Sequence, residues 1–445
     1  MVRTVAALQL SDGIMLGGYL TFELNSGVPL LVCGFGLLLI LSLAVKIVLQ
    51  RWSLPPVLGY LLLGVLVSGI NQTFSLVDER SETLLSFLAA LGVIVLLFRV
   101  GIESDLHALV RELPKASLIW LPNMALGGIP VYFVVHYYFD FAVIPSLFAG
   151  VAMTATSVGV SVAVWKDHGK LASEEGELLV DTAELDDISG VALMALLFSI
   201  APVLHEGGVE QLAAIAGDSQ LKSLLLSEAV KFAVSCAVFI VVIIFAGKAL
   251  VGPLTALSDK FSDQATVLIL VVACGILIAG LAGGIGLSLP IGALFAGLLV
   301  SRHRENYGVE PFYRSLDLIF VPFFFIHIGF QVDPSVVSPA VGIGLALTLV
   351  AVFGKLLGTG VPARLFTGGS GALMIGISMV PRAEIAMVVV ERGSELGAWA
   401  MPPELYAGLV FVCAATCLGT AVFLNTALRK WRPSEEQPDA RRGQK

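Results

Sequence analysis

Apolar residues in this chain fall into long runs broken by short polar stretches. Most of the runs are long enough to cross a hydrocarbon core of ~30 Å at about 1.5 Å per helical residue. The windows predict thirteen spans, at 27–50, 54–70, 83–102, 116–139, 142–165, 177–204, 224–247, 264–284, 287–301, 316–331, 338–361, 370–391 and 404–428. Those at 54–70 and 287–301 are short and contain proline. The expected fold class is an all-α polytopic membrane protein of about 13 transmembrane helices.

The polar positions orient these spans. With the N-terminus outside, 18 of the 26 basic residues fall on the cytoplasmic side, among them Lys166, Arg302, Arg304 and Arg429, and only Arg3, Arg80, Lys222 and Arg392 fall outside. That asymmetry is the positive-inside bias of an odd number of crossings, with a cytoplasmic C-terminus. Trp52, Trp120, Trp165, Trp399 and Trp431 all lie at or near span ends, where interfacial belts form.

A second regularity links spans seven apart. The fifth carries the polar break Thr154-Ala155-Thr156-Ser157, and the twelfth carries Ser378-Met379-Val380-Pro381-Arg382-Ala383-Glu384. Partners in an odd offset cross in opposite directions, which predicts inverted-topology repeats with two interrupted helices, the arrangement that marks a transporter's binding site.

Composition agrees and excludes alternatives. The 445 residues are 57% hydrophobic and 13% charged, with mean hydropathy +0.92. A formal charge of −8 argues against a nucleic-acid partner. Five cysteines, all in apolar segments, predict neither a disulfide framework nor a zinc site. Residues 1–26 lack a signal-peptide pattern, because the apolar run after Arg3 is interrupted by Gln9, Ser11 and Asp12.

The chemistry concentrates in the sixth span, which carries Asp181, Glu184, Asp186 and Asp187. Intramembrane acids are expensive and point to an ion or proton path. If the helix enters near Glu177, Asp186 and Asp187 lie roughly 15 Å deep, about half the core thickness. Adjacent helical residues point about 100° apart, so the two carboxylates need different partners: one a water-filled funnel and a cation, the other a buried base. Lys355, well inside the eleventh span, is the natural counter-charge, unless it snorkels to the cytoplasmic interface. Pro381 predicts unwound backbone with free carbonyls. Beside it, Arg382 pairs with Glu384 or another acid, either as a structural clamp or in contact with the ion. Thr154, Thr156 and Ser157 supply neutral oxygens or bond back to their own helix. Asp181 and Glu184 extend an acidic face toward the cytoplasm, as a focusing funnel or a solvated helix entrance. His327 is either a satisfied core histidine or a pH sensor. Arg99 snorkels or pairs with Glu103.

These motifs together resemble a known family. Leu54-Pro55-Pro56-Val57-Leu58-Gly59-Tyr60, Phe98-Arg99-Val100-Gly101-Ile102-Glu103, the Thr154 to Gly159 break, Asp186-Asp187, Phe320-Val321-Pro322-Phe323-Phe324-Phe325, Lys355 and Pro381-Arg382-Ala383-Glu384 are similar to the second cation/proton antiporter family, and most to its bacterial electrogenic sodium/proton exchangers of the double-aspartate kind. The similarity runs from about residue 30 to 428. It implies the sodium/proton antiporter fold with two crossed broken helices, and a homodimer in the bacterial inner membrane. By resemblance, 27–110 and 264–331 form the dimerisation domain, 111–205 and 338–428 the mobile core, and 224–252 a linker helix, with an outer segment 1–26 and a cytoplasmic tail 429–445. Also by resemblance, the core moves as an elevator, and Asp187 is the main site for protons and transported Na+ or Li+. Asp186 is then the partner of Lys355, with Thr154, Thr156, Glu384 and Arg382 at the crossing. Ala383 where glycine is usual, Arg99 where an apolar residue is usual, and the extra acids Asp181 and Glu184 depart from the pattern.

The function expected is cation/proton exchange, without enzymatic activity or cofactor. The alternatives are a K+/H+ exchanger or K+ efflux system of the same family, and a sodium-coupled organic solute symporter. Only a short polar tail follows residue 428, with no soluble nucleotide-binding domain in this chain, which counts against the potassium reading. An intramembrane aspartyl protease needs its acids on separate helices, commonly in a Gly-x-Gly-Asp motif, which is absent.

Overall fold

Proline and small polar caps set where the apolar runs begin and end. Helix α1 (Gly27–Arg51) is followed by Pro55 and Pro56, which open α2 (Pro56–Phe74), a position where proline's missing amide has no helical partner to lose. The left-handed Ser75 closes α2 by donating its amide to Asn71 O. Helix α3 (Glu79–Glu103) starts on Asp78, whose Oδ1 accepts from Ser81 N at 2.9 Å. The hydrogen bonds from Ser81 hold the Asp78 carboxyl below its usual range, so this exposed cap keeps its charge to lower pH than a free aspartate.

The computed structural model describes residues 15–16, 20–21, 27–75, 77–103, 106–206, 264–284, 288–301 and 310–431. The expected span at 224–247, the linker 224–252, most of the segment 1–26 and the tail beyond Trp431 lie outside the described residues. Beyond α3 come α4 (Leu106–Phe133), which ends in a π turn at Val134–Tyr138, α5 (Val143–Ala152), α6 (Val158–Asp167) and α7 (Glu174–Glu206). Then follow α8 (Gln264–Gly284), α9 (Leu289–Ser301), α10 (Glu310–Phe330) and α11 (Val337–Ala363). The last three are α12 (Gly369–Ser378), α13 (Glu384–Leu396) and α14 (Pro403–Lys430). Among the described residues, seven helices are long and apolar enough to cross a membrane, and other apolar helices are shorter. Among the described residues, the strands are two short ones, Met15–Leu16 paired antiparallel with Leu20–Thr21.

The helices pack in two groups. In one, α3 lies against α9 and α10, α2 against α10 and α1, and α8 against α9; in the other, α11 lies against α14, α4 and α12, α4 against α7 and α5, and α5 against α13. Glycine lets the first group close. A Cβ on Gly101 of α3 would stand 2.1 Å from Leu294 O, and one on Gly297 of α9 2.2 Å from Phe98 O, so the two backbones touch as small-residue membrane helices do. Gly297→Ala is expected to cost about 1–3 kcal/mol through overpacking. It should lower the melting temperature in detergent, whereas Gly419→Ala, with open space around it, should not.

Large apolar side chains point outward, for example Leu37, Ile40 and Ile47 on α1 and Leu345, Leu349 and Phe353 on α11. That is the surface a helix presents to lipid. Two tryptophans expected at the interface are buried instead. Trp165 is fully covered and meets Trp431 edge-to-face at 5.3 Å, and its Nε1 donates to Ser378 Oγ at 2.8 Å. They fill the space where α6 meets α14, a tertiary use that their position in the sequence does not reveal.

Candidate functional site

Two helical interruptions meet at the centre of the second group. Helix α5 ends at Ala152 and α6 starts at Val158; α12 ends at Ser378 and α13 starts at Glu384. The breaks bond to each other: Ser157 N donates to Pro381 O at 2.9 Å, Thr156 Oγ1 to Met379 O at 3.3 Å, and Ser161 Oγ to Ser378 O at 2.6 Å. Pro381 has no amide to donate and disfavours helix at Val380, so the chain unwinds there and frees these carbonyls.

Two buried cations donate to the carbonyls that follow the C-terminal ends of α5 and α12, which have no helical partner. Lys355 Nζ, with no exposure, donates to Thr154 O at 2.6 Å, Thr156 Oγ1 at 3.0 Å and Asp186 Oδ2 at 3.2 Å. All three ammonium hydrogens are thus used, and Lys355 does not snorkel. Arg382 Nη1 donates to Pro381 O at 3.0 Å and Met379 O at 3.1 Å, with Thr156 Oγ1 at 3.4 Å. Arg382 is therefore not paired with Glu384, contrary to expectation. Its guanidinium turns back onto the orphan carbonyls that end α12, while Glu384 opens α13 and lines a cavity.

The neighbouring aspartates have different surroundings. Asp186 is fully buried, with Lys355 on Oδ2 and Asn123 Nδ2 on Oδ1 at 2.8 Å; Asn123 Oδ1 in turn accepts from Thr359 Oγ1 at 2.9 Å. Asp187 is partly exposed in a cavity of about 320 Å³, along with Arg99, Glu103, Thr156, Glu184 and Glu384. Asn123 and Thr359 escaped sequence reading, although an amide within the apolar run of the fourth span was a usable signal. Asn123→Ala would strip a hydrogen bond from a buried carboxylate, and unfolding in detergent should show a loss of about 1.5–3 kcal/mol.

Other expected residues are placed differently. Thr154 Oγ1 donates to Val151 O at 2.7 Å and keeps its lone pairs for a cation, whereas Thr156 Oγ1 donates to Met379 O and accepts from Lys355 Nζ. Ser157 Oγ is buried without a hydrogen-bond partner among the described residues and is the remaining hydroxyl there. Asp181 does not line the cavity; Val180, Glu184 and Asp187 share that wall, because helical geometry aligns positions four and seven apart. Arg99 pairs with Glu103 at 3.8 Å, as expected, and more closely with Asp317 of α10, an acid that the sequence alone does not point to.

A second cavity, of about 300 Å³, opens at the other end of α3, near Ser86, and is lined by Phe324, His327, Val388 and Glu391 among others. The two cavities share no lining residue. A cavity that reaches Asp187, a second cavity that does not, and the buried Lys355–Asp186 pair make an arrangement suited to moving a small cation or a proton.

Residues 37–430 match the family model of the transmembrane sodium/hydrogen exchangers. The chain belongs to that family. It is 28% identical to the high-affinity Na+/H+ antiporter NhaS3 of Synechocystis over 92% of this chain and 93% of that protein, and 30% identical to a Na+/H+ antiporter of Enterococcus hirae over 86% and 94%. The sodium proton antiporter MjNhaP1 of Methanocaldococcus jannaschii superposes with a TM-score of 0.68, over 91% of this chain and 99% of that one, at 16% identity. That likeness shows a shared helical membrane fold. This exchanger is therefore a multi-pass membrane transporter that exchanges a cation for protons.

Proposed function

We propose that this exchanger extrudes cytoplasmic Na+ or Li+ against protons by alternating access, with Asp187 as the shared site. The observation that carries this reading is the unequal fate of two adjacent acids: Asp186 is locked by Lys355, and Asp187 faces a cavity. Partly dehydrated in a low-dielectric setting, one carboxylate cannot hold a metal ion and a proton together, so occupancy alternates. Hard oxygens at the site suit a Group 1 cation better than nitrogen or sulfur would.

The basic-residue bias makes the Glu103 end of α3 cytoplasmic, so the conformation is inward-open, within a thirteen-span antiporter fold of the second cation/proton antiporter family, electrogenic double-aspartate branch. The group α4–α7 with α11–α14 is the moving core, and α1–α3 with α8–α10 is the scaffold. The apolar face of α1 suits lipid or the second copy of a homodimer in a bacterial inner membrane. Cation arrival at Asp187 weakens the hold of Asp186 on Lys355; if the ammonium then loses its proton, two protons count against one cation and exchange is electrogenic. Glu184 and Glu384 raise the local cation concentration in the cavity.

The test is proton flux in proteoliposomes against Li+, Na+, K+ and divalent ions, with and without a clamped membrane potential. Flux with Na+ and Li+ that follows the potential is expected. Flux with K+ alone would move the protein to potassium/proton exchange, and labelled solute uptake driven by a sodium gradient would make it a symporter.

A further inference from the structure

The second cavity ends on a chain of contacts that the cation mechanism does not use. Glu391 of α13 places Oε1 3.1 Å from His327 Nε2 of α10 and Oε2 2.9 Å from the hydroxyl of Tyr406 on α14, and that hydroxyl lies 3.0 Å from Ile328 O, back on α10. The chain thus runs from α10 through α13 and α14 and returns to α10, tying the two helix groups together.

Its hydrogens can be counted. Ile328 O lies in the last turn of α10, and the amides beyond it pass it by: Gln331 N bonds to His327 O and Val332 N to Gly329 O. A carbonyl only accepts, and a tyrosine hydroxyl has one hydrogen to give. When that hydrogen serves Ile328, the contact with Glu391 needs a proton on the carboxyl. With that proton present, and Nε2–H of His327 on Oε1, every contact is made and no net charge is buried. With Glu391 ionised, Tyr406 must abandon one of its two acceptors, and a carboxylate remains at the cavity floor.

Among the described residues the one fixed cation lining this cavity is already paired. Arg392 is paired with Glu395 on the same helix at the cavity mouth. Helix α3 contributes Ser86, α7 contributes Phe198, and Ser288 lies just before α9; none carries charge. On α10 the Gln331 amide stands 3.4 Å from His327 Nε2, and the other ring nitrogen, Nδ1, is buried without a partner among the described residues.

We infer that Glu391 is a second proton-binding site, filled from the outer cavity, and that its proton closes the outer gate by completing the hydrogen-bond chain between α10 and helices α13 and α14. This rests on the alternating-access reading above, in which outward opening must separate those helices. Outer protons then favour the inward-open state directly, through a group about which the aspartate pair is indifferent.

Two variants push in opposite directions. Glu391→Gln supplies an N–H to Tyr406 and an oxygen to His327 at every pH, so the gate stays closed; Glu391→Ala removes the chain. In proteoliposomes at fixed inner pH, sodium-driven flux of the native protein should slow as outer pH falls, while both variants should keep only the weaker dependence that proton competition at Asp187 supplies. As a readout apart from transport, Ile385→Cys, at a residue that lines the Asp187 cavity, in a background without the native cysteines, is labelled at pH 8 by a membrane-impermeant thiol reagent from outside. Labelling should be about fivefold slower in Glu391→Gln than with Glu391 intact, the worth of about one net hydrogen bond, and faster in Glu391→Ala. Unchanged outer-pH profiles and equal labelling in both variants would overturn the site, provided the native protein transports. No cation-dependent flux from the native protein would instead overturn the exchanger reading itself.

Discussion

Asp187→Asn is expected to abolish sodium-driven proton flux, to below about 1% of the native rate, with the fold preserved. Asparagine keeps the size and one acceptor oxygen but neither titrates nor carries charge, so the site can no longer trade a proton for an ion. Asp187 makes no hydrogen bond or ion pair to the crossing like those of Asp186, and it lines a cavity, so detergent stability should change little. Relieving the repulsion with its neighbouring acid even favours a small gain. The measurement pairs flux with thermal unfolding of the same preparation. Native-like flux from Asp187→Asn would remove the competition mechanism.

The opposite signature is expected at Lys355. Lys355→Met leaves Asp186 without its counter-charge, in a place with no exposure, and removes the donor to Thr154 O and Thr156 Oγ1. Breaking one partner out of a buried pair costs about 3–5 kcal/mol, so this variant should unfold well below the native temperature. The double variant Asp186→Asn with Lys355→Met removes both charges and should recover most of that loss. If the lysine's proton is the second one moved per cycle, any exchange the double variant retains should no longer respond to the membrane potential. Potential-dependent exchange by the double variant would show that the second charge is carried elsewhere.

Both predictions depend on details that the sequence supplied unevenly. The acidic pair, the intramembrane lysine and the two polar breaks stand out because charge and hydroxyl groups are costly in an apolar run, and that cost is visible residue by residue. Thr359 and Asp317 become notable only beside their partners on other helices, whereas Asn123 left a trace as an amide in an apolar run without showing that Asp186 is its partner. Arg382 was read as an ion-pair residue, since a guanidinium two positions from Glu384 invites that; the unwound backbone offered it carbonyls at closer range. Thr154 and Thr156 are polar positions whose hydroxyl hydrogens go to carbonyls, and only the Thr156 oxygen also accepts from Lys355, a difference that composition does not reveal.

Within the described residues, the sequence by itself determined where apolar helices run, where polar breaks fall and which runs carry charge, because hydrophobicity and proline act locally along the chain. Only the tertiary structure decided which aspartate meets Lys355 and which meets the cavity, that Val180 and not Asp181 shares the wall with Glu184, and that His327, Glu391 and Tyr406 form one hydrogen-bonded chain. The rotation of a helix about its own axis, and the side chains brought against it from hundreds of residues away, are fixed by packing between helices, on which local hydrophobicity is silent.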